Sequence, residues 1–334
     1  MPLPVSIIIP TLNCRSQLEQ HVAALRRWYH DAEEVIVVDS ESDDGTAEWL
    51  RENLDHPRAR HFSRPRGLYG AWNFAVSQCA GKYLYFATMG DEIQRDGVAR
   101  LVGIAEKFDA ELVLSPPEMT DSEGVLLGNG EWPIHRFMRS FKPIEAILLS
   151  DMQKNTLSNA FNIQGLLGSS ASNLYQRSLL MKCPFPEDFG HVGDTMWGRR
   201  YGCRTRVALS PDMLARFVVE GEIHTKEKLS DERYVEQVVL LEQTGLEALS
   251  CEGRTSFMAE AAFSQEGRLA FSKWVQDKVR DLEHLKGVCA QQLEYIEHLK
   301  SDKEALLDQR TREVDHLNAK LNRTFRRRLK ALFR

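Results

Sequence analysis

Short apolar runs alternate with amphipathic helix patterns over the first 120 residues, and this alternation limits the folds open to the chain. The predicted strands are VSIII at 5–9, EVIVVD at 34–39, RARHFSR at 58–64, KYLYFAT at 82–88 and AELVLSPP at 110–117. Between them, segments such as 15–29 and 96–108 carry apolar residues at the three- and four-residue spacing of helices. Strand–helix alternation of this kind forms right-handed crossovers. We therefore expect an α/β fold with a mostly parallel, Rossmann-like sheet flanked by helices.

Composition excludes several classes of protein. The net charge of −5 argues against a general nucleic-acid binder. No apolar run approaches the roughly 20 residues of a membrane span, and the start, MPLPVSIIIP, lacks the basic region of a signal peptide. Six scattered cysteines without a CxxC pair are typical of reduced thiols, so we expect a cytoplasmic protein.

Polar residues follow two of the predicted strands, in IIIPTLNCRSQLEQ and EVIVVDSESDDGTAEWL. In an open parallel sheet, the carboxyl ends of the strands border the crevice where nucleotides bind. Asp39 ends the second strand and can accept hydrogen bonds from a nucleobase or from ribose hydroxyls. The alternative is that Asp39 caps the helix that follows.

A third polar strand end lies in RGLYGAWNFAVSQCAGKYLYFATMGDEI, where Asp91 and Glu92 follow an apolar strand. This position predicts chemistry, and the alternative is a solvated turn.

Together these blocks resemble the inverting glycosyltransferases of family 2, which have the GT-A fold. In the first two blocks the matching residues are Pro10, Thr11, Asn13, Asp39, Ser42, Asp44, Gly45 and Thr46. In the third they are Gly67, Tyr69, Ala71, Asn73, Ala80, Gly81, Tyr83, Phe86, Gly90 and Asp91. Ser40 and Glu41 depart from the family's usual Asp and Gly.

The resemblance implies a nucleotide-sugar donor, with UDP-sugar as the expected class. The residues that it places around the nucleotide are Pro10, Thr11, Asn13, Asp39, Ser42, Arg66, Gly67, Asn73, Thr88 and Gly90. Arg66 is either a contact to the donor phosphates or a surface charge.

The family's metal motif is Asp-x-Asp at the end of the strand, and Thr88 and Gly90 replace its two aspartates here. Asp91 is the carboxylate that remains. Mg²⁺ or Mn²⁺ can bind through one carboxylate together with diphosphate oxygens and water. His224 is a second candidate ligand by resemblance. Glu92 is either a further ligand or a solvated loop residue.

The resemblance also implies a catalytic carboxylate at the start of a helix after the acceptor-binding segment. Asp194 in PFPEDFGHVGDTMWGRR fits best, although Gly193 replaces the usual Glu and Asp194 can instead be a helix cap. The pair Glu187–Asp188 is a competing placement. His191 and Trp197 are candidate acceptor contacts, and Trp197, like Trp132, can instead belong to the core.

The expected organisation is a glycosyltransferase domain at 1–225, divided into a nucleotide-binding half (1–120) and an acceptor half (121–225). A helical connector (226–264), a coiled coil (265–322) and a basic amphipathic tail (323–334) follow. The seam of the coiled coil contains Val275, Val279, Leu282, Cys289, Leu293, Ile296, Leu307, Val314, Leu317 and Leu321, interrupted by Lys286, Lys300, Lys303 and Arg310. This seam predicts self-association, and the alternative is a helix folded back on the domain.

The tail RTFRRRLKALFR places Phe325, Leu329, Leu332 and Phe333 on one helical stripe flanked by arginines. This pattern favours an anionic membrane surface over nucleic acid.

We therefore expect a cytoplasmic inverting glycosyltransferase, peripheral on the inner face of the membrane, that extends a glycan or lipid-linked glycan of surface polysaccharide assembly. A nucleotidyltransferase would usually carry a Gly-rich loop, which PTLNCRSQLEQ lacks. A degenerate glycosyltransferase kept as a scaffold is the other alternative.

Overall fold

The computed structural model of the protein describes residues 2–121, 123–128, 132–151, 153–154, 157, 166–219, 280, 287 and 310–313. The chain divides into two units, Met1–Asp277 and Lys278–Arg334. In the second unit, residues 280, 287 and 310–313 are helical. The predicted connector, tail and His224 lie outside the described residues, and so does the predicted coiled coil apart from those few positions.

Two β-sheets form the framework of the described part of the first unit. Their strands are β1 (Leu3–Thr11), β2 (Ala32–Asp39), β3 (Ala59–Ser63), β4 (Tyr83–Phe86), β5 (Glu92–Ile93), β6 (Leu112–Leu114), β7 (Glu118–Thr120), β8 (Ile147–Leu148), β9 (Leu174–Gln176), β10 (Val207–Leu209) and β11 (Ala215–Val218). The larger sheet has eight strands in the order β3-β2-β1-β4-β9-β6-β10-β8, and the smaller has three in the order β5-β11-β7.

Helices connect these strands and cover the larger sheet. They are α1 (Leu18–Arg26), α2 (Thr46–Asn53), α3 (Leu68–Gln78), α4 (Arg95–Phe108), α5 (Pro133–Phe141), α6 (Arg177–Lys182) and α7 (Gly193–Tyr201). The predicted α/β fold, with a mostly parallel sheet flanked by helices, is confirmed. No helix among the described residues is both long and apolar enough to cross a bilayer.

Strand direction determines which loops meet at the edge of the larger sheet. Strands β3, β2, β1 and β4 run parallel to one another, and β10 runs parallel to β6. Strand β9 is inserted antiparallel between β4 and β6, and β8 is antiparallel to β10. The loop that enters β9 therefore lies at the same edge as the loops that leave β4 and β6.

Alternate residues of the central strands are buried on opposite faces of the sheet. In β1, Ile7 and Ile9 pack with α1 and α4, whereas Ile8 packs on the other face with α3 and α7. In β4, Tyr85 belongs to the first of these layers and Phe86 to the second. Because both faces are covered, the strands are almost continuously apolar, and polar side chains are concentrated at their ends.

Candidate active site

A buried carboxylate at the end of β2 ties two strand ends together. Asp39 is 3% exposed, and its Oδ1 accepts hydrogen bonds from Thr11 Oγ1 at 2.9 Å and Ser42 Oγ at 2.6 Å. Its Oδ2 accepts a hydrogen bond from the Ser42 amide at 2.8 Å. Because Thr11 and Asp39 are paired in the parallel β1–β2 ladder, the loops after the two strands begin side by side.

Further hydrogen bonds join the loop after β1 to the loop after β2. The Asn13 amide donates to Ser42 Oγ at 2.9 Å, and Asn13 Oδ1 accepts from the Asp43 amide at 2.9 Å. The Arg15 amide donates to Asp44 Oδ2 at 2.9 Å. Asn13 has a φ of 46°, a left-handed conformation in which asparagine is enriched. The two loops thus form one hydrogen-bonded unit.

Asp39 retains the capacity to accept a hydrogen bond from a ligand. An ionised carboxylate has about four acceptor positions, and among the residues that the structure describes, Thr11 and Ser42 fill all but one of them. The remaining position is on Oδ2, and a nucleobase N–H or a ribose hydroxyl is a suitable donor for it. The alternative of a helix cap is wrong, because α2 begins at Thr46 with Gly45 at its N-cap.

Three other predicted nucleotide-binding residues lie at or near these strand ends. Pro10 pairs with Val38 in β1, and Gly67 directly precedes α3. Arg66 Nη2 lies 3.5 Å from Asp43 Oδ2, and both side chains are more than half exposed. An ion pair this exposed contributes little stability, so a phosphate can compete for the Arg66 guanidinium.

Asp91 is held in the turn after β4. It is 7% exposed, and its Oδ2 accepts hydrogen bonds from Thr88 Oγ1 at 2.5 Å and Ser169 Oγ at 3.5 Å. Its Oδ1 accepts one from the Val218 amide at 3.3 Å. The alternative of a solvated turn is therefore wrong for Asp91. Gly90, where the family has Asp, adopts a left-handed φ of 83° that favours glycine.

Glu92 is engaged by arginines. Its Oε1 lies 3.1 Å from Arg27 Nη1, and its Oε2 lies 3.9 Å from Arg216 Nη1. Within the part of the chain that the structure describes, no three His, Cys, Asp or Glu side chains are grouped so that they could hold a metal ion.

The residues present fit a magnesium or manganese ion that takes a single protein carboxylate. Asp91 Oδ2 accepts hydrogen bonds from the hydroxyls of Thr88 and Ser169, which can rotate to donate elsewhere. The amide donor to Oδ1 has no such freedom and keeps the carboxylate oriented. Oδ2 can therefore bind a cation while Oδ1 remains anchored. Such an ion takes its other ligands from diphosphate and water, so we expect weak binding without nucleotide.

Asp194 is the second residue of α7 and contacts a buried tyrosine. Its Oδ1 accepts a hydrogen bond from the Thr195 amide at 2.6 Å. The Tyr69 hydroxyl accepts from the Asp194 amide and donates to the Asp194 carboxylate. Burial raises the pKa of Tyr69 well above its ordinary value of 10, and the charge of Asp194 raises it further. The Tyr69 phenol is therefore protonated at neutral pH and acts as a donor.

A second buried tyrosine links the surroundings of Asp194 to those of Asp91. Burial raises the pKa of Tyr175, and the nearby charge of Asp194 contributes to the increase. Asn173 Nδ2 lies 3.4 Å from the Tyr175 hydroxyl. The same segment carries Ser169, which contacts Asp91. One short stretch of chain thus borders both carboxylates.

The competing placement of the catalytic carboxylate also lies beside α3. Glu187 Oε1 accepts a hydrogen bond from Asn73 Nδ2 at 3.0 Å, and a Cβ on Gly70 would lie 3.1 Å from Glu187 Oε2. Asp188 is exposed. The structure therefore brings Glu187 and Asp194 to the same helix, Asp194 through Tyr69 and Glu187 through Asn73. The Asn73 side chain faces the acceptor half, not the loops around Asp39.

The prediction that Trp197 lines an acceptor surface is wrong. Its side chain is 0% exposed, its Nε1 donates to the Cys183 carbonyl at 2.7 Å, and its ring centroid lies 5.6 Å from that of Phe185. It belongs to the hydrophobic core, because its ring packs against Phe185 there and its N–H has a hydrogen-bond acceptor. The side chain of His191 lies outside the described residues.

Ser169, Tyr175 and the hydroxyl of Tyr69 lie beside the carboxylates without having been predicted as site residues. The only sequence signal for the first two is the run SSASNLY (169–175), and serine-rich runs are more often plain turns. The signal for Tyr69 is indirect. It is the glycine at 193, which leaves room for an aromatic ring.

Comparison with known proteins agrees with this geometry. The model of the family described as "Glycosyl transferase family 2" matches residues 6–180, more than half of the chain. Among solved structures, S. aureus TarS 1-349 in complex with UDP-GlcNAc aligns with a TM-score of 0.57 at 15% identity, covering 83% of this chain and 81% of TarS 1-349. The same protein in complex with UDP aligns with a TM-score of 0.51 at 17% identity and the same coverage. No curated protein matches the sequence. The chain therefore belongs to glycosyl transferase family 2 and is a glycosyltransferase with the GT-A fold.

Proposed function

We propose that the protein transfers a sugar, with inversion, from a UDP-sugar to a glycan acceptor in surface polysaccharide biosynthesis. The observation that best supports a nucleotide donor is the open acceptor position on Asp39, in a loop pair that is already tied together by hydrogen bonds. A site that is ordered before binding loses less entropy when a ligand arrives. The complexes of TarS with UDP-GlcNAc and UDP favour a uridine nucleotide over the other bases.

In the proposed site, Asp39 binds the base or ribose, and Arg66 meets the diphosphate. Pro10, Thr11, Asn13 and Ser42 shape the two loops around the nucleotide. Thr88 and Gly90 form the turn that presents Asp91. When bound there, Mg²⁺ or Mn²⁺ would stabilise the negative charge of the diphosphate leaving group.

Asp194 is the proposed general base. Inverting transfer requires a base that takes the proton from the acceptor hydroxyl while its oxygen attacks the anomeric carbon opposite the leaving diphosphate. The C–O bond to the diphosphate then breaks as the new glycosidic bond forms. Asp194 lies beyond the 6–180 match, so its role rests on its position beside α3 and on its motif.

The remaining partners are proposed from the C-terminal sequence pattern. The stretch 265–322 would form a coiled coil that joins copies of the chain, and 323–334 would bind an anionic membrane surface. A cytoplasmic enzyme held at the inner face of the membrane in this way would be close to a lipid-linked glycan.

A thermal-shift screen of UDP, GDP, CDP and dTDP, each with and without Mn²⁺, tests the donor. A ligand that binds only the folded state raises the melting temperature, and the shift is larger the further the ligand concentration exceeds the dissociation constant. We expect the largest shift for UDP with Mn²⁺. A larger shift with another base would refute the UDP assignment.

Turnover of UDP-sugars then tests the base. Asp194→Asn should abolish transfer and leave the UDP shift unchanged. Glu187→Gln is the matched control, because it neutralises the competing carboxylate, which contacts the same helix α3, while keeping its size. If Glu187→Gln is inactive and Asp194→Asn is active, the assignment of the base is wrong.

A catalytically degenerate scaffold is the second candidate. The observation that favours it is Asp91, whose two oxygens both accept hydrogen bonds from the protein in a turn without the two aspartates of the family motif. A scaffold would show no nucleotide shift, or a shift without turnover of any donor.

A further inference from the structure

The start of α7 leaves no room for a side chain at position 193. A Cβ built on Gly193 would lie 2.5 Å from Cδ2 and Cε2 of the Tyr69 ring and 2.7 Å from the Pro186 carbonyl. Real Cβ atoms essentially never approach other atoms this closely. The Glu expected before Asp194 by resemblance therefore cannot be accommodated without rearrangement. The Tyr69 ring occupies its space.

The position of the Tyr69 ring is determined by other aromatic side chains. Tyr69 is 3% exposed, lies stacked on Phe185 with centroids 5.6 Å apart, and meets the edge of Trp72 at 5.3 Å. A ring held by aromatic neighbours on two sides has little freedom to rotate away. Its hydroxyl is therefore presented at one place, the first turn of α7.

That hydroxyl makes two complementary hydrogen bonds with Asp194. It accepts from the Asp194 amide, one of the N–H groups that have no partner within the helix, and it donates to the Asp194 carboxylate. Glu187 has a different partner on α3, the side-chain amide of Asn73. The phenol therefore distinguishes Asp194 from the competing carboxylate.

We propose that Tyr69 is a positioning residue that keeps Asp194 ionised and oriented for proton abstraction, and that Gly193 is glycine to admit it. This inference rests on the proposed function, in which Asp194 is the base. A hydrogen bond donated to a carboxylate favours its charged form. In the charged form, Asp194 can accept the proton of the acceptor hydroxyl, which passes from that oxygen to a carboxylate oxygen as the glycosidic bond forms.

Tyr69→Phe tests this inference, because it removes the hydroxyl and keeps the ring. Tyr83→Phe is the matched control, since the Tyr83 hydroxyl also donates to a carboxylate, that of Glu106 at 2.9 Å, away from the site. In Tyr69→Phe we expect the apparent pKa of the acidic limb of the kcat/KM–pH profile to rise by about one unit. This corresponds to about tenfold tighter proton binding by Asp194. The limb should not move in Tyr83→Phe, and the affinity for UDP should be unchanged in both variants.

A second measurement does not depend on turnover. In protein labelled with ¹³C-aspartate, the Asp194 carboxyl signal, assigned with Asp194→Asn, should titrate about one unit higher in Tyr69→Phe than in wild type. Equal values in the two proteins would overturn the inference even if transfer is observed. A shifted Asp194 in a protein that turns over no donor would support the contact and refute the proposed function.

Site-specific replacement of Tyr69 by fluorotyrosine covers the possibility that Tyr69→Phe does not fold. The more acidic phenol is a stronger donor, so the Asp194 signal should titrate lower than in wild type. A purely structural role predicts no change in that value.

Discussion

Asn73 and Phe185, 112 residues apart in the chain, exchange two hydrogen bonds, with Asn73 Nδ2 donating to the Phe185 carbonyl at 2.8 Å and Asn73 Oδ1 accepting from the Phe185 amide at 2.9 Å. The Asn73 side-chain amide pairs with the main chain of Phe185 as the backbone of a neighbouring strand would. It thereby joins α3 to the segment that leads to Asp194. Phe185 is 2% exposed, so its main-chain groups have little access to water.

Asn73→Ala should therefore destabilise the fold. Leaving two buried main-chain groups unpaired costs about 1–3 kcal/mol each, so we expect a loss of roughly 2–6 kcal/mol in the free energy of unfolding, measured by urea denaturation. Asn73→Asp keeps the acceptor for the Phe185 amide and should lose less. A variant with unchanged unfolding but weakened UDP binding would instead support the predicted nucleotide contact.

Asp39→Asn should weaken UDP binding. The substitution removes the charge and turns an amide N–H₂ toward donors, so we expect at least a tenfold loss, about 1.4 kcal/mol, measured by titration calorimetry. Thr11→Val is the control, since it removes one hydrogen bond to Asp39 and leaves the carboxylate. Its affinity should remain within about threefold of wild type, while its unfolding free energy falls by about 1 kcal/mol. Equal losses in both variants would contradict a direct contact.

Asp91→Asn should abolish the part of the UDP thermal shift that depends on Mn²⁺. The amide cannot provide the anionic oxygen that the cation needs, whereas the UDP shift without metal should persist. Glu92→Gln, which alters the neighbouring carboxylate held by Arg27, should keep the full metal effect. If Glu92→Gln abolished the metal effect and Asp91→Asn did not, the assignment of the metal to Asp91 would be wrong.

Two glycine substitutions should change stability in opposite directions. Gly193→Ala forces a Cβ to within 2.5 Å of the Tyr69 ring, and overpacking of this kind typically costs about 1–3 kcal/mol. A Cβ on Gly103, on an exposed face of α4, meets nothing within 4 Å, so Gly103→Ala should gain about 0.5–1 kcal/mol. The melting temperatures of the two variants test this prediction. Stabilisation by Gly193→Ala would disprove the packing of Tyr69 against Gly193.

His21 should make the fold sensitive to acid. It is 4% exposed in α1, and burial lowers the pKa of His21 from 6.5 to about 4. Between these values the unfolded chain binds a proton that the folded chain does not, so stability falls as the pH drops through this window, by about 3 kcal/mol in total. A hydrogen bond with the backbone of Ala87 opposes this decrease in the pKa of His21 without cancelling it.

His21→Leu should therefore flatten the dependence of the urea midpoint on pH between 6.5 and 4. His30→Gln, at a half-exposed histidine of the same region, is the control and should leave the slope as in wild type. An unchanged slope in His21→Leu would show that other groups determine the acid response.

The parallel half of the fold was predictable because strands buried on both faces are long apolar runs. β1 and β2 are such runs, and they place Asp39 at a strand end without further information. β9 was not predictable in the same way. Its three residues, Leu174–Gln176, give no signal of direction, and its antiparallel insertion depends on hydrogen bonds to β4 and β6.

The candidate site was likewise predictable from the sequence only in part. Asp39, Asp91 and Asp194 follow from local motifs, but their neighbours depend on contacts across the chain. Ser169 reaches Asp91 over 78 residues, and no local pattern encodes that distance. Trp197 shows the converse, because an aromatic residue beside a carboxylate has the same sequence pattern whether it meets a sugar or the core.

The reversed direction of β9 has a consequence for how such an enzyme can diversify. In a purely parallel sheet, each loop at the carboxyl ends of the strands leaves a strand and must enter a crossover. The length of such a loop is therefore tied to the helix that follows. The loop before β9 enters its strand at that edge, and it is free of this constraint. Insertions or grafts there would change which acceptors the candidate site admits, while the crossovers that carry Asp39 and Asp91 keep their geometry. We expect chimeras exchanged at this loop to retain donor binding.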